Sequence, residues 1–421
     1  NGYKAYWDDG SQLVPPHDKN VIEEVKKVQV SDIKFEGVPE MITVLGTDFD
    51  KKYLDKVKTL SLSPEAIQKE HDLKIVFTPL HGTTYELVPA SLRNWGFTNI
   101  HTVPEQSIPD GDFPTVASAN PEEPAAFKMA LDLARKIDAD LAMACDPDGD
   151  RIGIAVKNDA GEWTLLNGNQ TNIIFTEYII RRKKELNQLK GGEYTVKTIV
   201  TTELIKDIAE KNHIICYDVY TGFKWIADVI RKEGGEKFIG GGEESFGYMP
   251  GAFTRDKDGV SATSLMAEIA AWVKMQNKTL YSFLKEIYAK YGFSQERMIY
   301  IVRKGLSGAQ EIKAMMEEFR HNTPKEINHS PVVLKKDYLS LEATNLQTGE
   351  KTHLNFETKS DVLQFFLADG SKISVRPSGT EPKIKFYFEA RAQMKDVNEY
   401  ERAQQEANAR IDAIIKDLKL Q

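Results

Sequence analysis

No stretch of the 421-residue sequence approaches the run of about 18 apolar residues that a membrane-spanning helix needs. That lack excludes an α-helical membrane protein as a reading of these residues. Cysteine is scarce as well, with only Cys145 and Cys216 present. Two thiols in a chain of this size exclude a disulfide framework. They fit a reducing, cytoplasmic setting in which both are core residues at the ends of buried strands. Positive charge is not in excess, since 55 Lys and Arg face 63 Asp and Glu for a net charge of -8. Nucleic acid is therefore not the expected partner, and a phosphate-bearing ligand must be captured by local donors, not by the overall field. The opening NGYKAYWDDG has neither a charged n-region nor an apolar h-region, and its first residue is Asn1. The expectation is a chain that begins inside a longer protein.

What is present is an ordinary globular composition, 41% hydrophobic and 28% charged. The length allows about three domains at about 150 residues each. From residue 72 onward, short apolar runs alternate with amphipathic segments. LKIVF (73–77), LAMAC (141–145) and IGIAV (152–156) read as strands. Phe127, Ala130, Leu131 and Ala134 form the i, i+3, i+4, i+7 stripe of a core-facing helix, with Glu122 and Glu123 placed at its start. After the polar RRKKELNQLKGGE (181–193) a second cycle follows. Its strands are VKTIV (196–200), HIICY (213–217) and KFIG (237–240), and its helices lie near 203–211, 223 onward, 260–276 and 279–291. Two such cycles predict successive α/β domains with mixed, largely parallel sheets and ligand loops at strand C-termini. Beyond Gly292 the strand-like MIYIV (298–302), VLQFFL (362–367), KISV (372–375) and KIKFYFEA (383–390), with a helical tail, predict a smaller C-terminal α+β domain. Residues 320–360 show no readable period.

CDPDGDR (145–151) follows one of the predicted strands and places Asp146, Asp148 and Asp150 at alternate positions. Three carboxylates on a curved loop repel unless a cation sits among them, and hard oxygen donors suit Mg²⁺ or Ca²⁺ better than zinc. An EF-hand is excluded: with Asp146 at position 1, position 6 is Arg151 and position 12 is Lys157, where glycine and glutamate are required. A phosphatase loop with Asp146 as nucleophile stays open at this point, as does a solvated acidic turn. Arg151, beside the carboxylates, has the fork to hold a phosphate, and an ion pair with a neighbouring acid is the plainer alternative.

IGGGEESFGY (239–248) follows another strand but lacks the Lys-Ser/Thr of a P-loop and the GxGxxG of a dinucleotide site. It presents Glu243, Glu244 and Ser245, groups suited to vicinal sugar hydroxyls, on what is otherwise an ordinary turn. RPSGTEPKIK (376–385) offers Arg376, Ser378, Gly379, Thr380 and Lys383, a plausible anion nest or a plain hairpin turn. Thr221 and Lys224 in YTGFKWI, Lys257 in RDKDG and His81 in TPLHGTT are individually weak signals, and a lone histidine is more often structural.

Taken in order, NGYK (1–4), TPLHGT (78–83), DPDGDR (146–151), TGFKW (221–225), GGEESFGY (241–248), RDKDG (255–259) and RPSGTEPK (376–383) resemble the α-D-phosphohexomutases, the phosphoglucomutase/phosphomannomutase family. The resemblance spans nearly the whole chain. It implies a remnant of a first α/β domain at 1–71, a metal-loop domain at 72–188, a sugar-loop domain at 189–293 and a C-terminal α+β phosphate-binding domain at 294–421. It implies Mg²⁺ on Asp146, Asp148 and Asp150, with Arg151 beside the reacting group and Lys4 as a candidate for proton transfer. Glu243 and Ser245 would read sugar hydroxyls, Thr221 and Lys257 would make further substrate contacts, and Arg376, Ser378, Gly379 and Thr380 would hold the non-reacting phosphate. The implied reaction interconverts hexose 1-phosphate and hexose 6-phosphate through a phosphoserine and a bisphosphorylated sugar, in a monomer or weak homo-oligomer. Phosphopentomutase, phosphoglucosamine mutase and a non-catalytic phosphosugar-binding protein are the alternatives. The family's reactive serine lies in a Ser-His-Asn-Pro segment just upstream of NGYK, and this sequence starts at NGYK. Ser118 in ASANP falls too late to replace it, so no mutase turnover is expected of these residues alone.

Overall fold

The computed structural model describes residues 4–303, 306–379 and 382–420. It separates into two compact units, Asn1–Leu284 and Lys285–Gln421. Thr380 and the first three residues of the NGYK motif lie outside the described residues.

The first unit begins with α1 (His17–Val25), α2 (Thr47–Lys58) and α3 (Pro64–Lys69). Between α1 and α2 the chain packs poorly: Val30, Phe35, Met41 and Val44 are each more than 80% exposed. Regular alternation follows, with β1 (Ile75–Thr78), α4 (Leu87–Trp95), β2 (Ile100–Thr102), α5 (Lys128–Ile137), β3 (Leu141–Cys145), β4 (Ile152–Lys157) and β5 (Trp163–Leu166). These strands form one sheet in the order β2-β1-β3-β4-β5. The first three run parallel, with Ile75 opposite both Ile100 and Leu141, while β4 and β5 turn antiparallel. LAMAC is buried at all five positions, as a strand covered on both faces must be. The predicted stripe is real, with Phe127, Ala130 and Ala134 fully buried against Val76, Ala142 and Ala155. The helix itself starts only at Lys128, so Glu122 and Glu123 are not in its first turn. Pro124 disfavours helical backbone at the residue before it, and the chain turns there instead.

α6 (Gly168–Glu185) crosses to a second sheet of β6 (Tyr194–Thr198), β7 (Ile215–Val219), β8 (Phe238–Gly242) and β9 (Tyr248–Met249), interleaved with α7 (Leu204–Lys211) and α8 (Phe223–Glu233). The order is β7-β6-β8-β9, parallel except for the β8–β9 pair. The first part of RRKKELNQLKGGE, read as a polar break, is the end of α6, which runs to Glu185. Cys145 ends β3 as expected, but Cys216 is near the start of β7 and only half-buried, and both thiols are free.

α9 (Gly259–Lys274) is buried from Gly259 to Val273 and runs between both α/β layers. A helix apolar on all sides belongs in a core. Its one carboxylate there, Glu268, is fully buried and accepts from Ser61 Oγ, from Leu62 N at 2.8 Å and from Tyr178 Oη at 2.7 Å. α10 (Leu280–Tyr291) spans the point where the two units divide.

The second unit holds β10 (Phe293–Val302), α11 (Leu306–His321), β11 (Glu326–Ile327), β12 (Ser330–Asp337), β13 (Glu342–Asn345), β14 (Lys351–His353), β15 (Leu363–Leu367), β16 (Lys372–Pro377), β17 (Lys383–Ala392) and α12 (Tyr400–Asp417). Its sheet runs β10-β17-β16-β15-β12-β13-β14, antiparallel throughout, with β11 added on β12. The α/β layers followed by an α+β unit are the fold class read from the sequence. Among the described residues, no helix is long and apolar enough to cross a membrane.

Candidate active site

Ligand loops in an α/β sheet sit at strand C-termini, and the first unit builds its site there. β3 ends at Cys145, and the next five residues fold back so that one carboxylate oxygen from each of Asp146, Asp148 and Asp150 lies within 4.8 Å of the others. Gly149 makes this possible: its φ of +75° is costly for any residue with a Cβ, and a Cβ there would come within 2.6 Å of Thr84 Cγ2. Asp146 is buried. Its Oδ1 accepts from Asp150 N at 3.0 Å and Arg151 N at 2.9 Å. Neighbouring chain fixes the loop from two sides, through Thr83 N to Pro147 O at 2.9 Å and Gly259 N to Gly149 O at 3.0 Å.

Burial, then the nearby charges of Asp150 and Asp148, push the Asp146 carboxyl up to about 7 despite the two N–H donors. Carboxylates this close favour a cation in their midst, and the donors are all hard oxygens. The triad therefore fits a divalent ion of the Mg²⁺ or Ca²⁺ type. Two cations of the chain itself flank it. Arg151 Nη1 pairs with Glu122 Oε1 at 3.1 Å, and its Nε lies 3.5 Å from Asp146 Oδ2 and 4.0 Å from Asp150 Oδ1. Lys257 Nζ stands 2.6 Å from Asp150 Oδ2.

The glycine loop lies directly alongside. Arg151 and Gly247 form an antiparallel backbone bridge, and Ile152 N donates to Phe246 O at 3.0 Å. Glu243 is buried, and its Oε1 accepts from Gly222 N at 2.5 Å, so it braces the loop that carries Thr221. Burial first, then Glu244, raise the Glu243 carboxyl to about 7, against the pull of Lys257 and Arg151. Glu244 Oε2 is engaged by Thr198 Oγ1 and Thr201 Oγ1, each at 3.2 Å. Ser245 and Thr221 are half-buried at the loop surfaces.

Asp146, Asp148, Asp150, Arg151, Lys257, Glu243, Ser245 and Thr221 thus occupy one linked set of loops. Lys4 is exposed at the start of the described chain. Lys224 pairs with Asp18 at 3.4 Å, and Ser118 Oγ donates to Glu123 Oε1 at 2.9 Å in a loop. His81 is a brace, with its two ring nitrogens 3.0 Å from Ile108 O and 2.8 Å from Thr115 Oγ1. In the second unit, Arg376 and Pro377 end β16, and Ser378 N donates to Lys383 O at 2.8 Å across the turn into β17. Arg376 and Ser378 are half-buried and Gly379 is exposed. Glu122 is the partner that sequence reasoning missed. It reaches Arg151 only through the tertiary fold, and no local pattern announces the pairing.

Three family descriptions match the chain in succession: phosphoglucomutase/phosphomannomutase alpha/beta/alpha domain II over residues 51–161, domain III over 167–291 and the C-terminal domain over 319–407. Phosphoglucomutases of Staphylococcus aureus strains N315 and USA300 are each 36% identical over 391 residues. That alignment covers 92% of this chain and 69% of theirs. Among solved structures, parafusin (phosphoglucomutase) from Paramecium in its open form gives a TM-score of 0.59 at 17% identity, over 89% of this chain and 61% of that one. A phosphoglucomutase/phosphomannomutase family protein from Burkholderia thailandensis gives 0.54 at 15% identity, over 85% and 64%. The chain spans about two thirds of the length of these relatives. By motif order, fold and kinship, it belongs to the phosphoglucomutase/phosphomannomutase family of hexose-phosphate mutases.

Proposed function

We propose that this chain supplies the metal loop, the sugar-reading loops and a phosphate-holding turn of an enzyme that interconverts hexose 1-phosphate and hexose 6-phosphate. The observation that carries the reading is the convergence of Asp146, Asp148 and Asp150 beside Arg151 and Lys257. Mg²⁺ held by those three carboxylates would supply Lewis-acid polarisation of a transferring phosphoryl group. Everything else falls to side chains. Arg151, held by Glu122 at its Nη1, keeps its Nε against Asp146 and Asp150, so its positive charge stands beside the place where an anionic oxygen would be held. Glu243 orders the Thr221 loop through Gly222 N, and Ser245 offers a hydroxyl to the sugar. Arg376, Ser378, Gly379 and Thr380 would grip the phosphate that does not react. Lys4 would serve in proton transfer at the reacting end.

Positioning accounts for most of the rate in such chemistry, because phosphoryl transfer asks for little covalent work from the protein. The phosphatase alternative has weaker support. Its nucleophile would be Asp146, whose Oδ1 already accepts two backbone donors and whose Oδ2 lies 3.5 Å from Arg151 Nε.

Asp148 is the exposed member of the triad, so its replacement disturbs the fold least. Asp148→Asn should weaken Mg²⁺ binding, measured by titration calorimetry, by at least about tenfold, the loss common when metal-site groups are removed. Affinity within twofold of the unaltered chain would remove this reading.

A further inference from the structure

α6 is buried from Gly168 to Ile180, yet Asn169, Gln170, Thr171, Asn172, Thr176 and Glu177 stand among its buried residues. A helix enclosed on all sides is ordinarily apolar, and buried polar groups need partners. Some of these serve the helix itself: Gln170 N donates to Asn167 Oδ1 at 2.9 Å, and Thr171 Oγ1 to Asn167 O at 3.1 Å. Two reach outside it. Asn169 Oδ1 accepts from Thr202 N at 2.9 Å, in the turn after β6. Asn172, only 1% exposed, donates from Nδ2 to Gly168 O at 2.7 Å and to Glu243 O at 2.8 Å. Helix and glycine loop are pressed together there. A Cβ on Gly168 would lie 2.0 Å from Glu244 O, and one on Gly242 would lie 1.8 Å from Asn172 Oδ1.

Asn172 Oδ1 is buried without a hydrogen-bond partner among the described residues. Turning the amide over would set that oxygen against two carbonyl oxygens, so the side chain is placed for what it donates and leaves a bare acceptor. Resting on the reading that the glycine loop reads the sugar, we infer that Asn172 is a positioning residue for Glu243. It ties the main chain of Glu243 to the interior of a helix, while Glu243 Oε1 accepts from Gly222 N at 2.5 Å. The Glu243 carboxylate is thereby offered to sugar hydroxyls at one place and one angle, and hydrogen bonds weaken steeply off that angle. Glu244 fastens the loop at a second point. Its Oε2 accepts from Thr198 and Thr201 Oγ1 at 3.2 Å each, in the turn that Asn169 steadies through Thr202 N. The buried polar residues that make α6 unlike a core helix thus include the supports of the loop beside it.

The test is titration calorimetry of glucose 1-phosphate, and separately of MgCl₂, into the full chain, unaltered and with Asn172→Ala, Glu243→Ala or both. Asn172→Leu keeps the volume and removes the same donations, so it replaces Asn172→Ala if the smaller residue leaves the chain unfolded. Ile180→Ala, fully buried further along α6, controls for lost stability. Asn172→Ala should bind glucose 1-phosphate about fivefold more weakly, the order of one hydrogen bond's net worth, with Mg²⁺ affinity unchanged. The double variant should lose less than the product of the two single losses, because Asn172 has no carboxylate to place once Glu243 is gone. Ile180→Ala should bind glucose 1-phosphate as the unaltered chain does. Unchanged glucose 1-phosphate affinity in Asn172→Ala, losses that multiply, an equal fall in Mg²⁺ affinity, or an equal loss in Ile180→Ala each overturn the inference. If the unaltered chain takes up no glucose 1-phosphate, or Glu243→Ala binds it equally well, the sugar-loop reading falls and the inference with it. That outcome is read without any Asn172 variant and is distinct from the others.

Discussion

Asp146 is held by opposing forces. Two backbone N–H groups and Arg151 favour its charge, while burial and two flanking carboxylates disfavour it and win. A carboxyl that titrates at about 7 in the fold and at 3.8 when unfolded binds its proton more tightly in the native state. Its contribution is therefore fully present below about pH 4 and is lost as pH rises through about 7. In EDTA, the stability of the unaltered chain relative to Asp146→Asn should fall between pH 4.5 and 7.5 by on the order of 2–4 kcal/mol. Urea unfolding at a series of pH values measures this, and a difference that does not change with pH would contradict the balance of forces described. Comparing the two proteins at each pH cancels the general acid sensitivity of the other carboxylates.

Among the elements, α9 does the most to place the site, since its first residue holds the metal loop by Gly259 N to Gly149 O. Its position depends in turn on Glu268, which satisfies Leu62 N, Tyr178 Oη and Ser61 Oγ deep in the unit. Glu268→Ala leaves Ser61 Oγ and Leu62 N without this acceptor, while Tyr178 Oη keeps Ser63 Oγ at 2.7 Å, so it should destabilise the chain by about 1–3 kcal/mol. A change under about 0.5 kcal/mol in urea unfolding would show that α9 does not rely on this carboxylate. The same elements show what the sequence could and could not convey. β3 and its loop were legible because an uninterrupted apolar run stops at an abrupt alternation of aspartates. α6 was not, because Asn169, Gln170, Thr171, Asn172, Thr176 and Glu177 are buried and break any apolar stripe. β12 to β14 were unreadable for another reason: short, partly exposed strands in which lysine, threonine and asparagine interrupt the apolar positions carry little period-two signal. The role of Glu243 as a brace on Gly222 needed the fold, since 21 residues separate the partners.

Viewed as a whole molecule, the first unit is unevenly consolidated. α9 is buried along nearly its full length, whereas the chain between α1 and α2 leaves Val30, Phe35, Met41 and Val44 in solvent. Segments with few buried contacts open at low free-energy cost. Hydrogen exchange followed by mass spectrometry should show amides at 27–46 exchanging within seconds and those of α9 protected for hours. Comparable protection in the two segments would contradict the packing described.

The seams around the site are made largely by main chain: the Arg151–Gly247 bridge, Ile152 N to Phe246 O, Thr83 N to Pro147 O and Gly259 N to Gly149 O. Peptide groups are the same whatever residue bears them. Three of the residues that form these joints have no room for a side chain, however: a Cβ on Gly149 would come within 2.6 Å of Thr84 Cγ2, one on Gly247 within 2.6 Å of Lys257 Cδ and one on Gly259 within 2.5 Å of Gly149 O. Replacement at Thr83 or Ile152 keeps its joint as long as the backbone path is kept, whereas replacement at these glycines does not. Divergence is therefore open at the seam residues that bear a side chain and closed at the three glycines, so the scaffold around the site is most constrained where it carries no side-chain chemistry.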